Sequence, residues 1–324
     1  VSGGLAGKLF VHLLKPDGTS KATGAVGKKK RRAEEEEAPG SRRRSPLECS
    51  AFSPVLQTAS VAQSSRLSLC QRNEKLELWY LRKPKLDTPS KPQGLAMPEA
   101  QLLFRLALDG EKEGEHVTAS AISPDGGIVA ASDLAGTRLF RLSLEELEVR
   151  REKGMPQEVR KTMARTLLFC GSAGLLAVAE WGGACQVLMV DVARLKVLAR
   201  FAEHKAPVSL LASAQEWLAS ADASGAVHVF NLDTLQHHAR VPVGGAGGAF
   251  ATAMTFDARG SRLIVALSTH KLVIFDVESQ TLAEGLPAHL EIPRQAFEPH
   301  SRICGLAAPP RAASKVLLWG HSSM

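Results

Sequence analysis

Between Pro207 and Val241 the chain carries four strand-length runs divided by turn residues, and this unit recurs on both sides of the stretch. Val208-Ser-Leu-Leu-Ala and Trp217-Leu-Ala-Ser-Ala are short apolar runs, Ala226-Val-His-Val-Phe-Asn-Leu alternates with period two, and Leu235 to Val241 is the fourth. Asp222-Ala-Ser-Gly225 separates the second run from the third. Gly225 can take the positive φ that closes a hairpin, and Asp222 can bond its own backbone there. Four antiparallel strands in about 35 residues make one blade of a β-propeller.

A single blade cannot bury both of its faces, so the unit must repeat. Downstream, Ala251 to Phe256, Arg262 to Leu267, Lys271 to Val277 and Thr281 to Leu286 restate the four runs, with Asp257-Ala-Arg-Gly260 as the first turn. Upstream, Val117 to Ser123, Ile128 to Ser132, Thr137 to Leu142 and Leu147 to Arg151 do the same around Ser123-Pro-Asp-Gly126. Phe230-Asn231 on the third run returns as Phe275-Asp276 and as Phe140-Arg141, and the 45 residues from Phe230 to Phe275 fall within the period of a WD repeat. The aromatic followed by a polar residue is the remnant of the Trp-Asp pair.

Taken in order, residues 1–14 form a partial first blade, because Gly7-Lys-Leu-Phe-Val-His-Leu reads as a third strand. Residues 15–46 hold Lys28-Lys-Lys-Arg-Arg32, Glu34 to Glu37 and Arg42-Arg-Arg44 among Gly and Pro. Such block charge has no apolar surface to offset the entropy of ordering, which predicts a disordered insert. Residues 47–324 supply the remaining blades. Leu47 to Ser53, Leu67 to Gln71, Leu76 to Leu81 and, beyond a proline-rich loop, Leu102 to Leu108 make the first of them. A charged stretch, Val149 to Arg165, has room for a helical turn before the blade of Thr166 to Cys170, Leu175 to Ala179, Cys185 to Val192 and Val197 to Phe201. Arg302 to Ala307 and Lys315 to Trp319 are two strands of a truncated last blade. The predicted fold is all-β, a WD40-type β-propeller with seven blade positions whose first and last blades are incomplete.

Composition narrows the function classes. Hydrophobic residues make up 44% of the 324, enough for a large core. The most membrane-like stretch, Gly171 to Val190, contains Glu180 and a Gly-Gly pair, so it reads as strand, turn and strand and no membrane partner is expected. Cys49, Cys70, Cys170, Cys185 and Cys304 lie far apart without a C-x-x-C pair, the pattern of reduced intracellular thiols. The net charge is +7, and the segment from Lys15 to Pro46 accounts for +5 of it with ten Lys or Arg against five Asp or Glu. The body is therefore nearly neutral.

His204-Lys-Ala-Pro-Val208 sits where WD repeats place a Gly-His pair, and Ser220 and Asp222 lie near the positions that complete the His-Ser-Asp-Trp hydrogen-bond tetrad. Phe230 stands in place of the Trp donor and Asp222 is out of step, so a partial tetrad with a structural role is expected. Gly225, Phe230 and Phe275 are the other structural residues predicted. There is no Gly-x-Ser-x-Gly nucleophile elbow, and Gly244-Gly-Ala-Gly-Gly248 meets neither phosphate-loop pattern. His237-His238 lacks further ligands at metal spacing. No catalytic residue, cofactor, metal or small-molecule substrate is expected. Lys28, Lys29, Lys30, Arg31 and Arg32 read as a nuclear import signal or a nucleic-acid-contacting arm, with a solvated insertion as the plain alternative.

Several segments resemble the cirhin-type WD-repeat protein of the nucleolar small-subunit processome. They are Val1-Ser-Gly-Gly, Lys75-Leu-Glu-Leu-Trp79, Ala121-Ile-Ser-Pro-Asp-Gly126 with Leu139-Phe-Arg-Leu142, Gly225-Ala-Val-His-Val-Phe-Asn231, Thr252-Ala-Met254 and Lys271-Leu-Val-Ile-Phe275. The charged insert after Leu14 and the proline-rich loop after Lys83 depart from that pattern. The resemblance implies the second of two tandem propellers, in the nucleus and nucleolus. It implies a scaffold role in ribosome biogenesis: precursor rRNA processing, small-subunit assembly and a link to rDNA transcription. It also implies other processome subunits as partners, with precursor rRNA or small nucleolar RNA contacted indirectly. The same blades would serve an adaptor of another nuclear complex, such as a ubiquitin ligase or chromatin assembly.

Overall fold

The computed structural model describes residues 7–13, 59–72, 75–82, 100–108, 116–146, 148–171, 174–243, 248–283, 289–291, 303–309 and 315–321. Strand β1 (Gly7–Leu13) comes first. An antiparallel sheet follows of β2 (Ala59–Ala62), β3 (Leu67–Gln71), β4 (Lys75–Tyr80) and β5 (Gln101–Ala107). The second sheet is β6 (Ala119–Ile122), β7 (Ile128–Asp133), β8 (Gly136–Ser143) and β9 (Glu148–Glu152). Helix α1 (Gln157–Lys161) leads to the third sheet, β10 (Ala164–Cys170), β11 (Leu175–Glu180), β12 (Val187–Asp191) and β13 (Lys196–Phe201). The fourth is β14 (Val208–Ala214), β15 (Trp217–Asp222), β16 (Val227–Asn231) and β17 (Gln236–Val241). In the fifth, β18 (Ala251–Phe256), β19 (Arg262–Leu267) and β20 (Lys271–Asp276) are flanked by two short strands that share the outer edge of β20, β21 (Thr281–Leu282) and β22 (His289–Glu291). β23 (Ile303–Ala307) and β24 (Lys315–His321) are the last of the described strands.

In the third, fourth and fifth sheets burial follows strand position. The second and third strands are the most enclosed: every residue of β15 and of β12 is buried, whereas the outer strand β13 alternates between exposed and covered positions. First strands of successive sheets lie side by side, β6 against β10, β10 against β14, β14 against β18 and β18 against β23, so they surround a common axis. Each interface between consecutive sheets is filled by one apolar cluster. Leu69 and Phe140 sit in the first, Leu176 and Val190 in the second, Met189 and Phe230 in the third, Val229 and Phe275 in the fourth, and Ile264 and Leu318 in the fifth. This stacking of faces that no blade could cover alone is the physical basis of the propeller.

The strand runs reappear closely, as does the helical turn predicted between Val149 and Arg165, with Val159 fully buried at its centre. Two expectations are revised. β1 pairs with β24 in full register, from Gly7 opposite His321 to Leu13 opposite Lys315, so the two incomplete blades are one sheet, ordered β1-β24-β23. The described residues thus form six sheets, and the separate first and last positions among the seven expected merge. The reason is edge satisfaction: β24 would otherwise present unpaired N–H and C=O groups, and β1 supplies their partners. The first strand of the first full sheet is Ala59–Ala62, while Leu47 to Ser53 lies outside the described residues. The insert of residues 15–46 lies outside them as well.

Antiparallel alternation gives the propeller two faces. A lower face carries the turns after first and third strands, and an upper face carries the turns after second strands together with the loops between sheets.

Candidate functional site

On the upper face of the fourth sheet, three chemistry-bearing side chains converge. His204 lies in the loop between β13 and β14, and Ser220 and Asp222, two residues apart on β15, share one side of that strand. His204 Nδ1 is 2.9 Å from Asp222 Oδ2, and its Nε2 is 2.6 Å from Ser220 Oγ. The other carboxylate oxygen, Asp222 Oδ1, accepts the Ser224 N–H at 2.9 Å, the Ser224 hydroxyl at 2.6 Å and the Ala226 N–H at 3.0 Å. One carboxylate thus ties the incoming loop to the β15–β16 turn. Gly225 closes that turn at φ +92°, and a Cβ there would come within 2.5 Å of the Ala249 carbonyl in the next loop, so only glycine fits without displacement. Burial pushes the Asp222 carboxyl up, but hydrogen bonds from Ser224, His204 and the Ala226 amide outweigh it and hold the group below its ordinary range.

Asp222, expected to be out of step, is therefore in place, and His204, Ser220 and Asp222 are joined. Phe230, standing where the fourth member would donate, stacks instead on Phe201 with ring centroids 4.1 Å apart. The Ser-His-Asp connectivity is that of a hydrolase triad, yet Ser220 is 0% and His204 5% exposed, so no substrate carbonyl reaches the hydroxyl. The arrangement works as a polar clamp on the backbone.

The first and second sheets carry counterparts that the sequence did not single out. At the end of β3, Gln71 donates to the Val117 carbonyl at 2.8 Å and accepts from Ser120 at 3.1 Å, joining the first sheet to the second. At the end of β7, Ser132 Oγ accepts the Ala164 N–H at 2.8 Å, Thr137 donates to the Thr162 carbonyl at 2.8 Å, and buried Asp133 is paired with Arg138. The available signal is a polar pair ending an otherwise apolar run, as in Ile128-Val-Ala-Ala-Ser-Asp133.

Beside the clamp, His228 on β16 faces His204 edge-on at 4.8 Å between centroids, and its Nδ1 lies 3.0 Å from His237 Nε2. Burial, followed by the positive charge that His204, His237 and Arg240 can present, lowers the His228 imidazole from 6.5 to about 4, with Asp222 acting weakly in the opposite sense. Below pH 6.5 the unfolded chain takes up this proton while the folded chain resists it until about pH 4. Stability is thus complete above 6.5 and is lost as pH falls through that window. After discounting for residual solvent contact, the loss should be about 1–2 kcal/mol. Urea unfolding at stepped pH measures it, and the His228→Gln variant should show a flatter profile. An equal slope in the variant would place the effect elsewhere.

His237 and His238 point to different partners: His238 donates to the Val277 carbonyl at 2.8 Å and packs on Trp217, with 4.5 Å between centroids. Among the described residues, no three His, Cys, Asp or Glu side chains gather to hold a metal. On the lower face the turns of four consecutive sheets surround a recess of about 1100 Å³ at the axis, lined by Ser64, Pro124, Phe169, Ser213 and Leu232, with Glu216 and Asp233 as its charged groups. Cys170 in its wall is inert, because burial pushes the thiol up to about 12. Lys28 to Arg32 lie outside the described residues.

The stacked four-stranded meanders and the His-Ser-Asp clamp between loop and turn define a β-propeller of the WD40 type. The fold is shared with the β-propeller domain of Cps50 (Swd1) from Myceliophteria thermophila, at TM-score 0.55 and 14% identity over 81% of each chain. Among curated proteins, the chain is similar to the U3 small nucleolar RNA-associated protein 4 homolog of Homo sapiens, 28% identical over 225 residues that cover 67% of this chain and 32% of that protein. It is also similar to its counterpart in Mus musculus, 26% identical over 238 residues, 71% of this chain and 34% of the relative. The chain thus spans about a third of the length of the curated relatives it matches. No family model matches it.

Proposed function

We propose that this chain is a non-catalytic WD-repeat scaffold of the nucleolar small-subunit processome. There it holds other subunits together during precursor rRNA processing and small ribosomal subunit assembly, with a link to rDNA transcription. The observation that carries this reading is the similarity to the two U3 small nucleolar RNA-associated protein 4 homologs across two thirds of the chain. The solvent-sealed clamp supports it from the chemical side, since this triad-like cluster among the described residues serves the backbone. Other processome subunits are the direct partners, and precursor rRNA or small nucleolar RNA is reached through them. In this reading the chain is a carboxy-terminal propeller of a longer protein, and Lys28 to Arg32 form its import signal.

The test is purification of the tagged chain from nuclear extract, with and without ribonuclease. Processome subunits should co-purify, and ribonuclease should leave the direct protein contacts in place. Recovery of ubiquitin-ligase or chromatin subunits instead would establish the adaptor reading. Replacing Lys28 to Arg32 with neutral residues should move the protein towards the cytoplasm while its partners still bind in extract and its stability is unchanged. If localisation persists and RNA association falls with a shallower salt dependence, the run is an RNA arm.

A further inference from the structure

We propose that the upper face between the second and third sheets is a docking surface for an acidic segment of a partner protein that carries a bulky apolar residue. Its centre is two side chains that the core does not use. Leu134, in the β7–β8 turn, is 65% exposed, and Trp181, in the β11–β12 turn, is 41% exposed. The segment between them connects their surroundings. A Cβ on Gly136 would run into the Arg160 carbonyl, Thr137 donates to the Thr162 carbonyl, and the Trp181 N–H donates to the Met163 carbonyl at 2.9 Å. Leu134 and Trp181 therefore flank residues 160–163 on one rim.

The charge around this rim is positive. Arg160 and Lys161 are exposed, and the Arg165 guanidinium lies 5.5 Å from the centre of the Trp181 ring. Of the nearby carboxylates, Glu158 is engaged by Arg200 through two hydrogen bonds of 2.7 Å each. Glu180 is half-buried and keeps one carboxylate oxygen buried without a hydrogen-bond partner. Two exposed cations, Arg160 and Lys161, and the half-buried Arg165 on the Trp181 ring thus accompany the two apolar anchors. Trp and Arg are both enriched among the residues that carry interface binding energy, and an Arg stacked on a ring keeps donors for a carboxylate. The aliphatic Leu134 favours a protein over a single-stranded nucleic acid, which calls for successive aromatic platforms along a basic groove.

The probe is a short fluorescein-labelled peptide of Asp and Glu with a central Phe and Leu, followed by polarisation against the full chain. Controls are the same peptide with the apolar residues changed to Ser, its Lys-substituted counterpart, and an oligouridylate. The acidic apolar peptide should bind, more weakly at higher salt. Trp181→Ala, Leu134→Ser and Arg160→Glu/Lys161→Glu should each weaken it by about tenfold, with unchanged melting curves because these side chains are exposed. Equal affinity in all three variants, or no binding of the peptide, overturns the proposal. Oligouridylate binding that depends on the same residues would reassign the surface to nucleic acid.

Discussion

Phe230→Ala and Phe275→Ala should each lower the unfolding free energy by about 3–5 kcal/mol. Both rings are 0% exposed. They occupy the same place in successive sheets: Phe230 is opposite Leu218 and Phe275 opposite Leu263, each followed by the residue that ends the third strand, Asn231 or Asp276. Each faces the preceding sheet, Phe230 among Met189, Phe201 and Leu218, and Phe275 among Val229, Val241 and Leu263. Truncation removes the burial of a ring and leaves a cavity whose walls belong to two sheets held by their own ladders, which limits collapse. Urea unfolding of the two variants measures the cost. Losses below about 1 kcal/mol at both would mean that neither site is a keystone between sheets.

What the sequence revealed depended on the range of the interaction. The repeat was legible because its signals are local: period-two alternation, Asp- and Gly-bearing turns, and the Phe-Asn and Phe-Asp pairs. Even the turns obey one rule, since Asp191, Asn231 and Asp276 each accept backbone N–H groups two or three residues ahead. The turns close with Leu195, Leu235 and Gln280 at φ of 54 to 56°. The pairing of β1 with β24 left no such mark, because an edge strand of seven residues does not announce a partner three hundred positions away. Ala59–Ala62 was missed for a different reason: Ala-Ser-Val-Ala has little β-propensity and one fully buried residue, Ala62. In the clamp, His204 and Ser220 were recognisable by position. The links through Gln71 and Ser132 were not, since each depends on which backbone group the adjoining loop offers.

Asp222→Ala should cost about 3–5 kcal/mol, as much as a core truncation, although it deletes only a carboxylate. The cost arises from the groups left behind. His204 loses its Nδ1 partner while remaining buried, and the Ser224 and Ala226 amides lose their acceptor. Ser220→Ala should cost less, about 1–2 kcal/mol, because it removes one hydroxyl on the far side of the imidazole and leaves the turn untouched. Asp222→Asn separates geometry from charge: its carbonyl can accept from the turn amides and its amide can donate to His204 in the other tautomer. Recovery of most of the loss in Asp222→Asn would identify the clamp as a matter of hydrogen-bond geometry. A loss as large as in Asp222→Ala would show that the negative charge itself holds loop and turn together. In that case the gap between wild type and the Asn variant should narrow as pH falls through the lowered range of the Asp222 carboxyl. Denaturation of the three variants at neutral and acidic pH decides between the two accounts, and equal, small losses in all three would deny the clamp any role in holding the blade.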